Sequence, residues 1–231
     1  MGGAPVTGML RSRHAASGPV VEPRGAHDLR GHLVTQLRYS RNSVVVLAGI
    51  PGAGKSTLLH RVFGTTGAET RPVHHASGVL VLDSEQARNH LGRRLQRDPY
   101  ALWRPVTHLL QYTRIARALR SGEPVVVHDC GTRYWVPRLL RQWSAHQNVE
   151  LHLVLLDVAP AVARAAQLER NRLVRATAFA AHCRRWQRRT ASGPAGLMPG
   201  AASAVVLDRA SADRIQVIQL DSRPLTSPAG P

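Results

Sequence analysis

Residues Val44 to Ser56 read VVVLAGIPGAGKS, and this stretch decides the fold. Its first five residues form an apolar, mostly β-branched run, which is typical of a strand buried on both faces of a parallel sheet. The segment after the glycine-rich turn, from Ser56 to about Phe63, predicts a helix. A buried strand, a glycine-rich turn and a helix in this order indicate an α/β protein.

The spacing Gly49-x-x-x-x-Gly54-Lys55-Ser56 is the complete Walker A pattern, set between a strand and a helix. Glycines allow positive φ, so backbone N–H groups can close on phosphate oxygens at the positive end of the helix dipole. We expect Lys55 to reach the β- and γ-phosphates of ATP and the Ser56 hydroxyl to bind Mg²⁺. The predicted nucleotide-binding residues of this loop are Gly49, Pro51, Gly52, Ala53, Gly54, Lys55, Ser56 and Thr57.

The charge of the chain is strongly positive. Its 231 residues carry a formal net charge of +17, and Lys55 is the only lysine. A chain that uses arginine everywhere else keeps the slim, flexible lysine in the phosphate-binding turn, where a planar guanidinium does not fit the same space. Such a surface attracts anionic ligands and binds nucleic acid non-specifically at low salt. An aromatic content of 4% leaves few rings on which bases could stack.

Other features of the composition predict a cytoplasmic protein. Cys130 and Cys183 match no metal-binding or redox spacing. The sequence has no apolar run near the roughly 20 residues of a membrane span and no leader-like segment, so we expect no membrane partner.

Three further apolar runs end at acidic residues, and they are Val79–Leu82 before Asp83, Val125–Val127 before Asp129, and Leu151–Leu156 before Asp157. Strands that alternate with helices predict a three-layer P-loop NTPase sandwich with a mostly parallel sheet of about five strands. The strand ends that carry these acids would meet at the edge where ligands bind in open α/β sheets.

The predicted organisation is a flexible tail over 1–26, an ATP-binding domain over 27–221 and a second tail over 222–231. Leu29, Leu33 and Leu37 recur every four residues and predict a helix from Asp28 to about Tyr39. The remaining predictions are a polar loop over Gly64–Gly78, irregular structure over Pro99–Pro105, a short strand over Val205–Leu207 and a final strand at the sheet edge over Ile215–Leu220.

Candidate acceptor-side residues follow the second strand. Phosphoryl transfer to a hydroxyl needs a carboxylate near the acceptor and positive charge near the moving phosphoryl group. Asp83 and Glu85 supply carboxylates, and Arg88 lies one helical turn beyond Glu85 on the same face. The structural alternative is a helix-capping acid followed by a surface ion pair.

The segment from Val79 to Leu91, VLVLDSEQARNHL, resembles the strand–Asp-x-Asp-x-x-Arg segment of small P-loop kinases. This group, similar to AAA-type ATP-binding proteins, includes adenylylsulfate kinase, the zeta toxins, chloramphenicol phosphotransferase and phage-type polynucleotide kinase. In this group the second acid of the pattern is the base. Its position here is Glu85, which is longer than the usual aspartate by one methylene. The resemblance places Asp83 on a magnesium-bound water, and either acid remains a candidate for the base.

Two more segments resemble the same group. The third-strand segment VVVHDCGTR, from Val125 to Arg133, implies that Asp129 is a Walker B acid that holds Mg²⁺ through water, or that it contacts the acceptor. His128 and Cys130 are interpreted as packing residues.

The arginine-rich hairpin over about 160–190 resembles the mobile lid of these kinases. The resemblance implies that Arg170 acts in catalysis and that Arg164 and Arg172 bind nucleotide, with a solvated helix face as the alternative. By the same resemblance, Asp208 and Arg209 approach the adenine ring.

The sequence therefore predicts a small ATP-dependent phosphotransferase that moves the γ-phosphoryl of MgATP to a hydroxyl of an anionic or small-molecule acceptor. The acceptor is left open between a nucleic-acid 5′ end, a nucleotide sugar and a small metabolite. The alternative is a regulatory or nucleic-acid-associated ATPase that hydrolyses ATP and acts through a partner. Neither the oligomeric state nor a protein partner is predicted.

Overall fold

The computed structural model describes residues 18–93, 95, 100–129, 136–170, 173–191, 193 and 200–222. Its strands are β1 (Val20–Val21), β2 (Gly25–Asp28), β3 (Gln36–Ser40), β4 (Ser43–Gly49), β5 (Val73–His74), β6 (Leu80–Asp83), β7 (Val125–His128), β8 (Glu150–Leu156), β9 (Ser203–Leu207) and β10 (Val217–Ser222). Its helices are α1 (Lys55–Phe63), α2 (Ser84–Gly92), α3 (Tyr100–Ser121), α4 (Val136–His146), α5 (Pro160–Glu169), α6 (Ala176–Thr190) and α7 (Arg209–Arg214).

The central sheet has the strand order β2-β9-β8-β4-β7-β6-β5. All neighbouring strands in it are parallel except β5 and β6, which are antiparallel. Every residue of β4 is buried, as expected for a parallel strand covered on both faces. The predicted α/β fold with a mostly parallel sheet is confirmed.

The number of strands in this sheet was predicted wrongly, because the sheet has seven strands rather than about five. The additional strands β2 and β5 lie at its two edges. β2 reads GAHD and β5 reads VH, so neither contains the apolar run that marks a buried strand. Edge strands need such runs least, since one side of each is unpaired.

Parallel pairing brings the carboxyl ends of the main strands to one edge of the sheet. Gly49 ends β4, Asp83 ends β6, and Asp129 follows β7 and donates its backbone N–H to Leu47 O at 3.0 Å. Asp157 follows β8 in the same way. The candidate site is therefore built along one edge from neighbouring strands.

The predicted helix from Asp28 to Tyr39 is wrong. A turn at Gly31, with φ of 72°, separates β2 from β3. Leu37 is fully buried in β3, whereas Leu33 is 57% exposed. A spacing of four residues fits a helix, but here pairing with β10, which lies far along the chain, favours the extended backbone.

β10 confirms the prediction of a last strand but corrects its position. It pairs in parallel with β3, and β3 pairs with β1 on its other side. These three strands form a separate small sheet rather than an edge of the central one.

Other boundaries differ from the prediction. The predicted irregular segment Pro99–Pro105 is largely the first part of α3, which contains Pro105. β5 lies within the predicted Gly64–Gly78 loop, and α7 was not predicted.

The tail predicted over 1–26 contains β1 and the first residues of β2. Residues 1–17 and 223–231 lie outside the described residues. In the part of the chain that the structure describes, no helix has the length and hydropathy needed to cross a bilayer.

Burial of Leu37 leads to a prediction that separates the strand from the helix. Leu37→Ala should lower the free energy of unfolding by about 2–5 kcal/mol, because it leaves a cavity in the core. Leu33→Ala, the matched control, should change it by no more than about 0.5 kcal/mol, because Leu33 is exposed. Urea unfolding of both variants measures the difference, and an equal loss in the two would contradict the observed strand.

Candidate functional site

The glycine-rich turn between β4 and α1, residues 49–56, is called the phosphate loop below. Gly52 and Gly54 have φ of 89° and 100°, values that residues with a side chain rarely adopt. Gly54 is the N-cap of α1, and no side chain caps this helix end. The positive end of the helix dipole thus lies at the loop, which is the arrangement of a site for anions.

Lys55 is the first residue of α1, and its ammonium folds back over the loop. The Nζ atom donates to Gly49 O at 2.7 Å and to Ile50 O at 3.0 Å, and the side chain is buried. These carbonyl contacts offset the cost of burying the charge. They also hold the ammonium at the mouth of the loop.

Gly52 allows helix α5 to lie directly against the loop. A Cβ atom at Gly52 would lie 2.1 Å from Ala163 O of α5, so no larger residue fits without a shift of backbone. Gln167, also on α5, donates from Nε2 to Pro51 O at 2.9 Å. Sequence reasoning missed Gln167, since no local pattern marks a contact over so many residues.

Asp83 and His128 meet at the end of neighbouring strands. Asp83 is the N-cap of α2, and its Oδ1 accepts a hydrogen bond from Glu85 N at 2.8 Å. The same oxygen lies 2.8 Å from His128 Nδ1. His128 was predicted to be a packing residue, but it pairs with a candidate catalytic acid instead. Its position at a strand end beside Asp129 was a signal that it belongs to this edge.

The environment of Asp83 keeps it ionised. Burial raises the pKa of this carboxyl, but the charge and the hydrogen bond of His128 and the N–H of Glu85 outweigh burial. The net result lowers the pKa of Asp83 from its usual 3.8 to about 2.

Glu85 and Arg88 form an ion pair on the first turns of α2. Arg88 Nη2 lies 2.6 Å from Glu85 Oε1. The Glu85 side chain is 11% exposed, whereas that of Arg88 is 46% exposed. The second carboxylate oxygen of Glu85 faces Gly67 of the loop after α1, with 3.7 Å between this oxygen and an ideal Cβ built on the glycine. The structure thus brings a sheltered carboxylate and a reachable guanidinium together.

Ser56 and Asp129 are the residues with the right donor chemistry for Mg²⁺. Ser56 lies in the first turn of α1, and half-buried Asp129 follows β7, the strand next to β4. A hydroxyl and a carboxylate are the oxygen ligands that Mg²⁺ prefers, and this ion takes its remaining ligands from phosphates and water. The residues present therefore fit the predicted ion.

The arginine-rich hairpin α5–α6 is called the lid below. Arg170, which flanks the C-terminus of α5, donates from Nη2 to Thr57 Oγ1 at 2.7 Å. Its guanidinium thus lies next to the phosphate loop helix. Arg164 instead donates to Val174 O at 2.6 Å and stacks over the Phe179 ring, so it is turned towards the inside of the lid.

The last residue predicted for the lid, Arg172, lies outside the described residues.

Two further acids at this edge have structural partners. Asp157 accepts hydrogen bonds from Arg30 Nη1 and Trp186 Nε1, both at 3.0 Å. Asp208 caps α7 and also accepts from Gly31 N at 2.9 Å. Both acids thus fasten other segments to the carboxyl end of the sheet.

Arg209 is next to the phosphate loop. A Cβ atom on Gly54 would lie 3.0 Å from Arg209 Nη1. The Nε atom of Arg209 donates to Asp213 Oδ2 at 2.8 Å, which holds the guanidinium over the start of α1.

Comparison with known proteins identifies the family. The family model described as an AAA domain matches residues 44–192. The chain belongs to this family. The match begins in β4 and ends just after the lid, so it includes the phosphate loop and the strand-end acids Asp83, Asp129 and Asp157. The prediction of an AAA-type P-loop protein, which implies nucleotide binding, is confirmed.

Solved structures show more distant likeness. A gluconokinase from Sinorhizobium meliloti is 16% identical, with a TM-score of 0.46 over 77% of this chain and 89% of that one. A protein from Chloroflexus aurantiacus that is assigned to the kinases is 14% identical, with a TM-score of 0.47 over 72% and 87%. A chain from the PezAT toxin–antitoxin system of Streptococcus pneumoniae is 16% identical, with a TM-score of 0.43 over 58% of this chain and 54% of that one. No curated protein matches the chain.

The lowered pKa of Asp83 predicts a specific loss of stability in acid. Because its folded pKa of about 2 lies below the usual 3.8, the ionised carboxyl stabilises the protein above pH 3.8. This contribution, about 2 kcal/mol, is lost as the pH falls through 2. Urea unfolding measures the free energy of unfolding at pH 7 and at pH 2. The fall in this free energy between the two pH values should be about 2 kcal/mol smaller in Asp83→Asn than in the wild type. Parallel curves for the two proteins would show that Asp83 has no such role.

Proposed function

We propose that the protein is a small kinase that transfers the γ-phosphoryl group of MgATP to a hydroxyl group of an anionic acceptor. The observation that supports this most is the Glu85–Arg88 pair, with its 2.6 Å contact, at the same sheet edge as the phosphate loop. A carboxylate beside a guanidinium can take the proton of a hydroxyl while the cation holds an anionic acceptor. A kinase with an anionic acceptor needs both groups.

Nucleotide binding is assigned to the phosphate loop. The backbone N–H groups of residues 49–56 and the first turn of α1 surround the phosphates. The Lys55 ammonium leaves its carbonyl contacts with Gly49 and Ile50 to reach the β- and γ-phosphates. Ser56 and Asp129 would hold Mg²⁺, which when bound neutralises charge on the phosphates.

Glu85 is our assignment for the base that takes the proton of the acceptor hydroxyl. A carboxylate with a pKa of about 2, such as that of Asp83, is a weak base. One Asp83 oxygen is also committed to Glu85 N and to His128. Asp83 therefore positions α2 and His128, whereas Glu85 pairs with Arg88, the cation that we assign to the acceptor. On these grounds we propose Glu85 rather than Asp83 as the base.

Arg88 is assigned to the acceptor, and Arg170 is assigned to the transferred phosphoryl group. Arg88 is 46% exposed and can turn from Glu85 to an anionic group of the acceptor. Arg170 donates to Thr57, the neighbour of Ser56, so its guanidinium already lies beside the first turn of α1, next to the phosphate loop. There it would stabilise charge on the transferred group.

A second candidate function is a regulatory or nucleic-acid-associated ATPase that acts through a partner. The net charge of +17 favours it, because so positive a surface attracts nucleic acid. In that case phosphate would pass to water rather than to an acceptor.

A transfer assay separates the two functions. ATP labelled at its γ-phosphate is offered with Mg²⁺ and a panel of acceptors, namely 5′-hydroxyl oligonucleotides, nucleotide sugars, aminoglycosides and small sugars. We expect label in one acceptor class from the wild type and none from Lys55→Ala, which lacks the ammonium that binds the phosphates. Label found only in free phosphate would favour the ATPase. Transfer by Lys55→Ala at the wild-type rate would contradict the assigned loop.

The assignment of the base predicts different effects for two isosteric substitutions. Glu85→Gln should lower kcat by about 10²-fold or more with little change in ATP affinity, because it removes the proton acceptor. Asp83→Asn should reduce kcat less and should reduce stability in parallel. Steady-state kinetics and isothermal titration with ATP give both quantities. A larger loss of kcat in Asp83→Asn than in Glu85→Gln would reverse the assignment.

A further inference from the structure

The Gln167 side chain joins two parts of the molecule that are far apart in sequence. It lies on α5, is only 4% exposed, and uses both ends of its amide. Nε2 donates to Pro51 O of the phosphate loop at 2.9 Å, and Oε1 accepts from Val174 N at 3.0 Å. Val174 lies between α5 and α6, so a single side chain bridges the phosphate loop and the turn of the lid.

The contact with Pro51 also sets the direction of an amide in the phosphate loop. The Pro51 carbonyl and the Gly52 N–H belong to the same peptide unit, which is planar and trans. A side chain that holds the carbonyl on the α5 side therefore points the Gly52 N–H away from α5. Gly52 cannot move back towards the helix, because its backbone packs against Ala163 O.

The other end of the bridge is held by a second side chain of α5. Arg164 Nη1 donates to Val174 O at 2.6 Å, and its guanidinium lies 5.6 Å from the centre of the Phe179 ring. Both backbone polar groups of Val174 are thus bound by α5 side chains. Val174 leaves its position only if α5 moves or if these bonds break.

We propose that Gln167 is a positioning residue that couples the phosphate loop to the turn of the lid. A phosphate that binds the loop N–H groups fixes the Pro51–Gly52 peptide, and Gln167 transmits that restraint to Val174. Without the bridge, the loop and the lid respond to nucleotide independently. This inference rests on the proposed function for its ligand, MgATP, and concerns a residue that the proposed reaction steps do not include.

Two substitutions separate the bonds of the amide. Gln167→Glu keeps an oxygen that accepts from Val174 N, but it has no N–H to give to Pro51 O. Gln167→Met is uncharged, has a similar length, and makes neither bond. Gln187→Glu is the matched control, because it makes the same chemical change at an exposed position on α6 of the same lid.

The experiment measures binding and coupling in the full chain. Isothermal titration with Mg²⁺ and a non-hydrolysable ATP analogue gives affinity. Amide hydrogen exchange of peptides containing Val174, with and without the analogue, shows whether nucleotide bound at the phosphate loop changes the protection of Val174. We expect about tenfold weaker binding in both Gln167 variants, because the partly buried Pro51 carbonyl loses its donor. We also expect that nucleotide slows exchange at Val174 in the wild type and in Gln187→Glu, but not in either Gln167 variant.

The outcomes are distinct. Wild-type affinity in Gln167→Met would overturn the inference, since a loss in Gln167→Glu alone would reflect only the added charge. A nucleotide-dependent change at Val174 that survives in both variants would also overturn it, because Gln167 would then be a packing residue.

If the wild type binds no nucleotide, the proposed function fails, and exchange in the nucleotide-free protein decides the inference. Faster exchange over residues 50–54 in Gln167→Glu than in the wild type would support the bridge, and equal exchange would overturn it.

Discussion

The pairing of β4 with β7 on one side and β8 on the other is the constraint on which the rest of the structure depends. β4 is paired with β8 from Ser43 to Gly49, and with β7 from Val44 to Leu47. In a parallel sheet this register determines where each strand ends. A slip of one residue would turn buried side chains to the other face and displace the start of the phosphate loop from Asp129.

Two kinds of interaction then complete the site. The phosphate loop is local, because its glycines and the start of α1 form the anion site within eight residues. The group of side chains beside the loop is not local, because Asp83 and His128 come from different strands and meet only in the sheet. This meeting has a chemical consequence. It keeps Asp83 ionised and hydrogen-bonded to His128 and to the backbone of Glu85.

Two kinds of hydrogen bond connect the lid to the phosphate loop and α1, and they differ in how exposed they are to solvent. Arg170 reaches Thr57 through one exposed hydrogen bond, which is easily exchanged for a phosphate. The Gln167 side chain is buried and makes a partly buried hydrogen bond at each end of its amide, so breaking these bonds without replacement costs more than breaking an exposed one. The arginine is thus free to change partner while the glutamine keeps the root of the lid against the loop.

The sequence by itself determined the features that rest on short-range chemistry. Apolar β-branched runs predicted β4, β6, β7 and β8, and the spacing from Gly49 to Ser56 predicted the phosphate loop. Tertiary structure alone decided several other features. Leu29, Leu33 and Leu37 have the spacing of a helix, yet β3 is extended because β10 supplies its hydrogen-bond partners. The bridges made by His128 and Gln167 could not be predicted either, since a side-chain hydrogen bond between distant segments leaves no periodic pattern in the chain.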